Sequence, residues 1–164
     1  MVEATNERRP SMQVEAKLRK LGFTLPDPPK PVAAYLPAVQ VGDLLFLSGT
    51  TCYEDGKFLY TGRVGTDLTL EQGYIAARQT ALNLLSVIKA TLGDLNQVKH
   101  VVKLNGYVNS AQDFDRQPEV INGASELLEE LFGERGKHAR TAIGVSDLPA
   151  HIPVEIELIV QVRS

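Results

Sequence analysis

The sequence has no tryptophan, one cysteine and three histidines among its 164 residues. The single thiol, Cys52, has no partner for an internal disulfide, so a reducing cytoplasm is the expected location. His100, His138 and His151 lie far apart along the chain, and no Cys-x-x-Cys or His-x-x-x-His spacing occurs. We therefore expect neither a metal site nor another cofactor.

Long apolar runs and an excess of positive charge are also missing. No apolar run approaches the roughly 18 residues that a membrane-spanning helix needs. The first ten residues, MVEATNERRP, lack the apolar stretch of a secretory signal. The net charge is −3, and no cluster of Lys and Arg stands out. We therefore expect neither a membrane nor a nucleic acid as a partner.

The composition that is present, 43% apolar and 23% charged, is typical of a globular domain with one core. Apolar residues recur at helical spacing over residues 11–21, and the segment TLPDPPKP then supplies four prolines. We interpret residues 1–30 as an N-terminal helix and Pro-rich extension. Residues 31–164 would form the main domain.

The main domain alternates strand-like and helix-like segments. The pattern predicts a hairpin turning at Gly42-Asp43, then a polar loop with glycines at positions 56, 62 and 65. Thr69 and Gln72 have the spacing of a capping box at the start of a long helix, and Gly93 fits its end. The remaining segments predict a strand, a helix and two strands, at 98–109, 118–133, 139–145 and 153–162. This order favours an α+β domain with its helices on one face of a sheet.

The last predicted strand has two different faces. Its even-numbered positions 154–160 are apolar and would face the helices, because side chains alternate along a strand. Its other face carries Glu155, Glu157, Ile159 and Gln161. A partly apolar face without a covering layer usually meets a partner, so we expect an oligomer.

Arg140 is the first candidate for chemistry, because small residues flank it at the start of a predicted strand. An arginine fork can hold a carboxylate through two parallel hydrogen bonds. A surface or interface salt bridge is the alternative. Glu155 and Glu157 share one face, where either could position a water or hold a proton. The alternative for both is a solvated or intersubunit charge.

Other candidates are weaker when they are taken from the residues alone. Asn122 precedes Gly123 within a predicted helix and could donate to a ligand or simply face solvent. Gly49 ends a strand and could admit a close ligand or form a turn. Tyr35 could line a site or pack in the core or an interface. For Cys52, a buried and inert thiol is favoured over a nucleophile.

Three segments stand in a distinctive order: FLSGT, VVKLNGYVNSAQDF and ARTAIGVSDLPAHIPVEIE. They resemble the strand-ending Ser-Gly, the central strand and turn, and the Arg-Ser/Thr, Leu-Pro and acidic-strand stretch of the Rid family. These reactive intermediate deaminases are also called YjgF-like or L-PSP endoribonuclease-like proteins. The resemblance runs from about residue 31 to residue 162.

The resemblance implies a chorismate-mutase-like α+β fold with a mixed sheet and two long helices on one face. It implies a homotrimer whose sheets line a central barrel, with small carboxylate-bearing metabolites bound in clefts between subunits. Arg140 would bind the carboxylate and Glu155 would position a water, as the catalytic pair. The cleft would also be lined by three further residues: Tyr35, Gly49 and Asn122.

Two features indicate a divergent subgroup. The N-terminal extension and the segment QPEVINGASELL depart from the usual family core. The resemblance also implies that Ala142 would line the cleft at the position where the family's deaminases often have cysteine. Because that cysteine contributes mainly through its backbone, the change is mild for binding, but it weakens the case for an identical substrate.

The implied activity is hydrolysis of enamines and imines of the 2-aminoacrylate and 2-iminopropionate type to 2-keto acids and ammonia. The same arginine would equally serve a non-catalytic protein that binds a 2-keto acid and has a regulatory role. An endoribonuclease, which one family name implies, is disfavoured by the acidic balance and the absence of a basic, aromatic-interleaved patch.

Overall fold

A computed structural model describes residues 13–30 and 33–164, and it contains one main sheet covered by helices on one face. The helices are α1 (Gln13–Lys20), α2 (Leu70–Leu92) and α3 (Gln117–Phe132). The strands are β1 (Ala38–Val41), β2 (Leu44–Thr50), β3 (Tyr53–Glu54), β4 (Lys57–Phe58), β5 (Val98–Asn109), β6 (Ala139–Val145) and β7 (Val154–Val162). The strand order is β1-β2-β7-β5-β6, and β3 pairs only with β4. The sheet is mixed, because β6 runs parallel to β5 and the other neighbours are antiparallel.

The predicted hairpin is confirmed. β1 and β2 pair from Val41 opposite Leu44, and Gly42 takes the positive φ of 60° that this tight turn requires. The polar loop after it contains a second, very short hairpin, β3–β4, that the sequence analysis missed. Its turn is the Asp55-Gly56 pair, with both residues at positive φ. Asp-Gly is a strong signal for this turn type and could have been recognised.

Helix α2 is capped at both ends by the residues that the sequence predicted. The Thr69 hydroxyl accepts from the backbone N–H of Gln72 at 3.1 Å, and the Gln72 side chain accepts from the N–H of Thr69 at 2.9 Å. These two bonds form the capping box, because each satisfies an amide that the first helical turn leaves free. Gly93 ends the helix in the left-handed conformation and donates to the carbonyl of Lys89 at 2.8 Å.

The core lies between the sheet and the pair α2 and α3. Alternate residues of β7 are fully buried under these helices, from Val154 to Val162, and the odd positions are half-buried on the opposite face. We call that opposite face, which no helix of residues 13–30 and 33–164 covers, the open face. It exposes four large apolar side chains: Val39, Val41, Phe46 and Ile143. The two faces of the last strand are therefore as predicted.

The described part of the N-terminal segment packs on the main domain. Val14 and Leu18 of α1 are buried in the same apolar cluster as the sheet. The segment after α1 packs against α2. The Arg78 guanidinium of α2 lies 5.1 Å from the centre of the Phe23 ring, and the Ser86 hydroxyl of α2 donates to the carbonyl of Pro26 at 2.7 Å. Residues 11 and 12, where the predicted helix begins, lie outside the described residues. Within residues 13–30 and 33–164, no helix is both long and apolar enough to cross a bilayer.

Candidate functional site

Arg140 lies on β6, one of the two edge strands of the main sheet, and points toward α3. Its Nη1 donates to the side-chain oxygen of Asn122 at 2.7 Å and to the hydroxyl of Ser125 at 3.2 Å. Asn122 and Ser125 are three residues apart and share one face of α3. Because a guanidinium only donates, it fixes the Asn122 amide with its oxygen toward Arg140 and its NH₂ free to meet a ligand.

Gly123 explains why an unfavourable Asn-Gly pair occurs in the middle of α3. A Cβ at this position would overlap the backbone carbonyl of Tyr74 on α2. The glycine therefore allows α3 to approach α2 closely, at a cost in helix propensity of about 1 kcal/mol. That approach sets where Asn122 and Ser125 stand relative to Arg140.

A second group of predicted site residues surrounds Gly49, where Glu155 of the open face meets the end of β2. The pairing of β2 with β7 shifts register between Leu47 and Thr50, which is a β-bulge around Gly49. The Glu155 carboxylate packs directly on Gly49, and a Cβ on that glycine would overlap it. Tyr35 and Gly49 line the same shallow depression, and Tyr35 is 46% exposed. Gly49 therefore adjoins both Glu155 and the depression that Tyr35 lines.

The two glutamates of β7 are not equivalent. Glu157 accepts from the Asn105 amide at 2.9 Å and from the Tyr107 hydroxyl at 3.0 Å. Glu155 accepts no hydrogen bond from any described residue. Burial, and then the charge of Glu157, raise the pKa of Glu155 above its ordinary value. Glu155 is thus the carboxylate with free acceptors and a raised proton affinity, the properties of a general acid or base.

Within one chain, Arg140 and Glu155 do not meet. Arg140 is opposite Leu104 on β5, which is opposite Leu158 on β7. Glu155 is three residues from Leu158 and on the other face of the sheet, so the two backbones are about 14 Å apart at ordinary strand spacing and rise. The structure brings together Arg140 with Asn122, and Glu155 with Gly49, as two separate groups, and Tyr35 lies near Gly49.

Ala142 belongs with the first group. It lies two residues after Arg140 on the same face of β6 and is partly buried against the core. A small side chain here leaves the region beside the guanidinium unobstructed. Cys52 is fully buried, as predicted, with its sulfur next to the Thr51 hydroxyl and the Tyr60 carbonyl. Among the described residues, no three His, Cys, Asp or Glu side chains converge as a metal site.

Sequence reasoning missed two residues that adjoin Arg140. The His138 Nε2 lies 2.9 Å from the Ser125 hydroxyl, and its Nδ1 lies 2.6 Å from the carbonyl of Gly136. With Arg140 they line an open depression of about 200 Å³. Spacing along the chain could have indicated Ser125, because it follows Asn122 by three residues on a helix. His138 lies just before the start of β6, and no sequence signal distinguishes it.

Comparison with known proteins agrees with this architecture. A family model described as "YjgF/chorismate_mutase-like, putative endoribonuclease" matches residues 15–157. The chain belongs to this family. The predicted chorismate-mutase-like α+β fold, with its mixed sheet and helices, is therefore confirmed, and so is the resemblance to a divergent branch of the YjgF/Rid proteins.

Individual relatives extend over nearly the whole chain. Protein TCP17 of Trypanosoma cruzi is 43% identical over 155 residues, covering 94% of this chain and 97% of its own. A 2-iminobutanoate/2-iminopropanoate deaminase of Dermatophagoides farinae is 30% identical over 141 residues, covering 86% and 95%. The crystal structure of Atu1372 from Agrobacterium tumefaciens is similar with a TM-score of 0.87 at 43% identity, covering 93% and 94%.

Proposed function

We propose that this YjgF/chorismate-mutase-like protein hydrolyses small carboxylate-bearing imines and enamines, of the 2-iminopropanoate and 2-aminoacrylate type, to 2-keto acids and ammonia. The site would form between subunits of a homotrimer whose sheets surround a central barrel. The observation that carries the proposal is the separation of Arg140 and Glu155. Each has polar atoms that bond to no described residue, yet the two lie on opposite faces of one sheet, so a joint site needs two copies of the chain.

The open face supports the assembly. Four exposed apolar side chains, Val39, Val41, Phe46 and Ile143, lie on it, and contiguous apolar surface of this kind commonly marks an interface. A neighbouring copy that brings its β6 edge to this face would place its Arg140 opposite Gly49 and Glu155. Light scattering after size exclusion should then give about three times the 17.9 kDa mass of the chain. A monomer would refute the shared site.

The chemistry follows from the two groups of residues. Arg140 would bind the substrate carboxylate through its free guanidinium nitrogens, with the Asn122 NH₂ as a further donor, which fixes the C=N carbon in place. Glu155 would take a proton from a water as the oxygen adds to that carbon. Glu155 would pass that proton to nitrogen, which gives a carbinolamine. It would then take the hydroxyl proton of this adduct and deliver it to nitrogen as the C–N bond breaks, so that C=O forms and ammonia leaves. Such proton transfer contributes about 10²–10⁴-fold in rate.

A relative supports this choice of reaction, since the Dermatophagoides farinae protein named as an imine deaminase shares 30% identity with this chain. The test is release of pyruvate from 2-iminopropanoate that an amino acid oxidase generates in the assay. Arg140→Ala should reduce hydrolysis to the uncatalysed rate. Arg116→Ala is the matched control, because that arginine is exposed and, among the described residues, forms its salt bridge with the nearby Glu119. Equal rates in wild type and Arg140→Ala would refute the mechanism.

Mixing two inactive variants tests whether the site is shared. If each cleft takes Arg140 from one subunit and Glu155 from its neighbour, Arg140→Ala and Glu155→Gln chains refolded together should recover activity in about a quarter of the clefts. A site within one chain would recover none. A wild-type protein that binds pyruvate through Arg140 without hydrolysing the imine would instead be a keto-acid-binding regulator.

A further inference from the structure

Three polar side chains beside the α3–β6 contact form an arrangement of which the proposed imine hydrolysis uses only one member, Arg140. The Ser125 hydroxyl is 2.9 Å from the His138 Nε2 and 3.2 Å from the Arg140 Nη1. All three line the open depression of about 200 Å³, so a small molecule can reach the hydroxyl. Ser125 therefore differs from an ordinary helix serine, because both an imidazole and a guanidinium lie within hydrogen-bonding distance of its hydroxyl.

The direction of these hydrogen bonds follows from the acceptors. The His138 Nδ1 faces the Gly136 carbonyl at 2.6 Å, and since a carbonyl only accepts, Nδ1 carries the proton. In the neutral ring Nε2 is then unprotonated and must accept from Ser125. Burial lowers the pKa of His138. The Gly136 hydrogen bond opposes this decrease, and the Arg140 charge adds to it. The imidazole is therefore neutral near pH 7, and its lone pair is directed at the serine hydroxyl.

This arrangement has the parts of an activated nucleophile. A hydroxyl donates to a base, and a third group orients the base, here a backbone carbonyl in place of a carboxylate. Arg140 adds a positive charge next to the hydroxyl oxygen. That charge favours the alkoxide as the proton leaves and would stabilise an oxyanion forming beside it. A serine that served only packing would need neither partner.

We propose that Ser125 is a nucleophile that small activated carboxylic esters acylate, with His138 as its general base and Arg140 stabilising the oxyanion. The hydroxyl oxygen bonds to the acyl carbon as its proton passes to Nε2 of His138. The bond to the alcohol oxygen then breaks, and the alcohol leaves with that proton. Water attacks the acyl-serine by the same route and releases the carboxylic acid. This activity is separate from imine hydrolysis, which needs no acylated serine.

The test is covalent labelling of the full-length protein with an alkyl fluorophosphonate, which loses fluoride when a nucleophilic serine attacks phosphorus. Trypsin cleavage after Arg116 and Arg135 gives the peptide 117–135, in which Ser125 is the only hydroxyl residue. A mass shift in that peptide therefore locates the adduct. We expect the shift in wild type and in Ser110→Ala, and none in Ser125→Ala. An unmodified peptide in wild type would overturn the proposal.

His138→Gln distinguishes a general base from a structural neighbour. Removing the base should slow labelling by about 10²-fold or more, and p-nitrophenyl acetate should show the same loss in its burst of nitrophenolate. The wild-type labelling rate should rise with pH as His138 loses its proton, with a midpoint below the roughly 6.5 of free histidine. The charged groups acting on this imidazole are Arg140, His100 and Glu129. A labelling rate equal to wild type in His138→Gln, or independent of pH, would overturn the assignment.

Discussion

Gly123, in the middle of α3, is the position where adding one methyl group should reveal most about how the Arg140 site is built. Replacing a helix-interior glycine with alanine normally stabilises a protein by about 1 kcal/mol. Here the new Cβ would overlap the carbonyl of Tyr74 and lie 3.2 Å from the backbone nitrogen of Arg78. Both atoms belong to the backbone of α2, so relief requires the two helices to separate.

The two effects can be compared in magnitude. Overpacking in a well-packed interior costs about 1–3 kcal/mol, and contact with a rigid backbone belongs at the upper end. Subtracting the gain in propensity leaves a net loss of about 2 kcal/mol for Gly123→Ala. With an m-value near 2 kcal/mol/M, the urea midpoint should fall by about 1 M. Because α3 also carries Asn122 and Ser125, affinity for pyruvate should fall as well.

Gly73→Ala provides the matched control, since Gly73 is also helical and buried. Its Cβ would meet only methyl groups, at 3.0 Å from Val64 and 3.1 Å from Val120. Those side chains can adjust, so we expect the urea midpoint to change by less than about 0.5 M. Denaturation followed by circular dichroism at one protein concentration measures both variants. A Gly123→Ala protein as stable as wild type would refute the inferred closeness of α2 and α3.

Three further outcomes are expected. Gly49→Ala displaces the Glu155 carboxylate and should lower kcat/KM for imine hydrolysis by about 10²-fold, as misplaced groups of this kind do; unchanged kinetics would contradict that role for the contact. The raised pKa of Glu155 means that the fold favours its protonated form, so its stabilising contribution is complete below the unfolded pKa and is lost as pH rises through the folded pKa. Glu155→Gln should therefore raise the melting temperature relative to wild type at pH 7 but not at pH 4, and an equal difference at both would contradict the shift. Leu18→Ala should cost about 2–5 kcal/mol, because Leu18 is 2% exposed, and a loss below 1 kcal/mol in urea unfolding would show that α1 is dispensable.

The sequence predicted the helices and strands whose ends are marked by local residues, such as capping residues or polar segments. Strand β5 was predicted at residues 98–109, as observed, because β-branched residues fill it and polar segments bound it. Helix α2 was predicted at both ends, because Thr69 with Gln72 and then Gly93 satisfy the backbone groups that a helix leaves free. Such signals are local, and tertiary contacts only reinforce them.

The candidate site was harder to predict from the sequence, because it depends on which elements pack together in the fold. Arg140 was recognised by its small neighbours, but its two partners on α3 could be assigned only once β6 was placed beside that helix. His138 has no distinguishing neighbour in the sequence, and the Gly136 carbonyl that fixes its tautomer is a feature of the backbone alone. The separation of Arg140 from Glu155 likewise depends on strand order, which spacing along the chain does not encode.

Strand order also determines when the fold can be completed during synthesis. β7 comes after every other strand in the chain, yet it lies in the middle of the sheet, between β2 and β5. Until residues 154–162 leave the ribosome, the early hairpin and the β5–β6 pair have no common neighbour. The two pairs of strands therefore cannot join into one sheet before β7 has been made. We expect premature termination before β7 to yield chains that chaperones retain, and folding to be governed by long-range pairing rather than by the fast local helices.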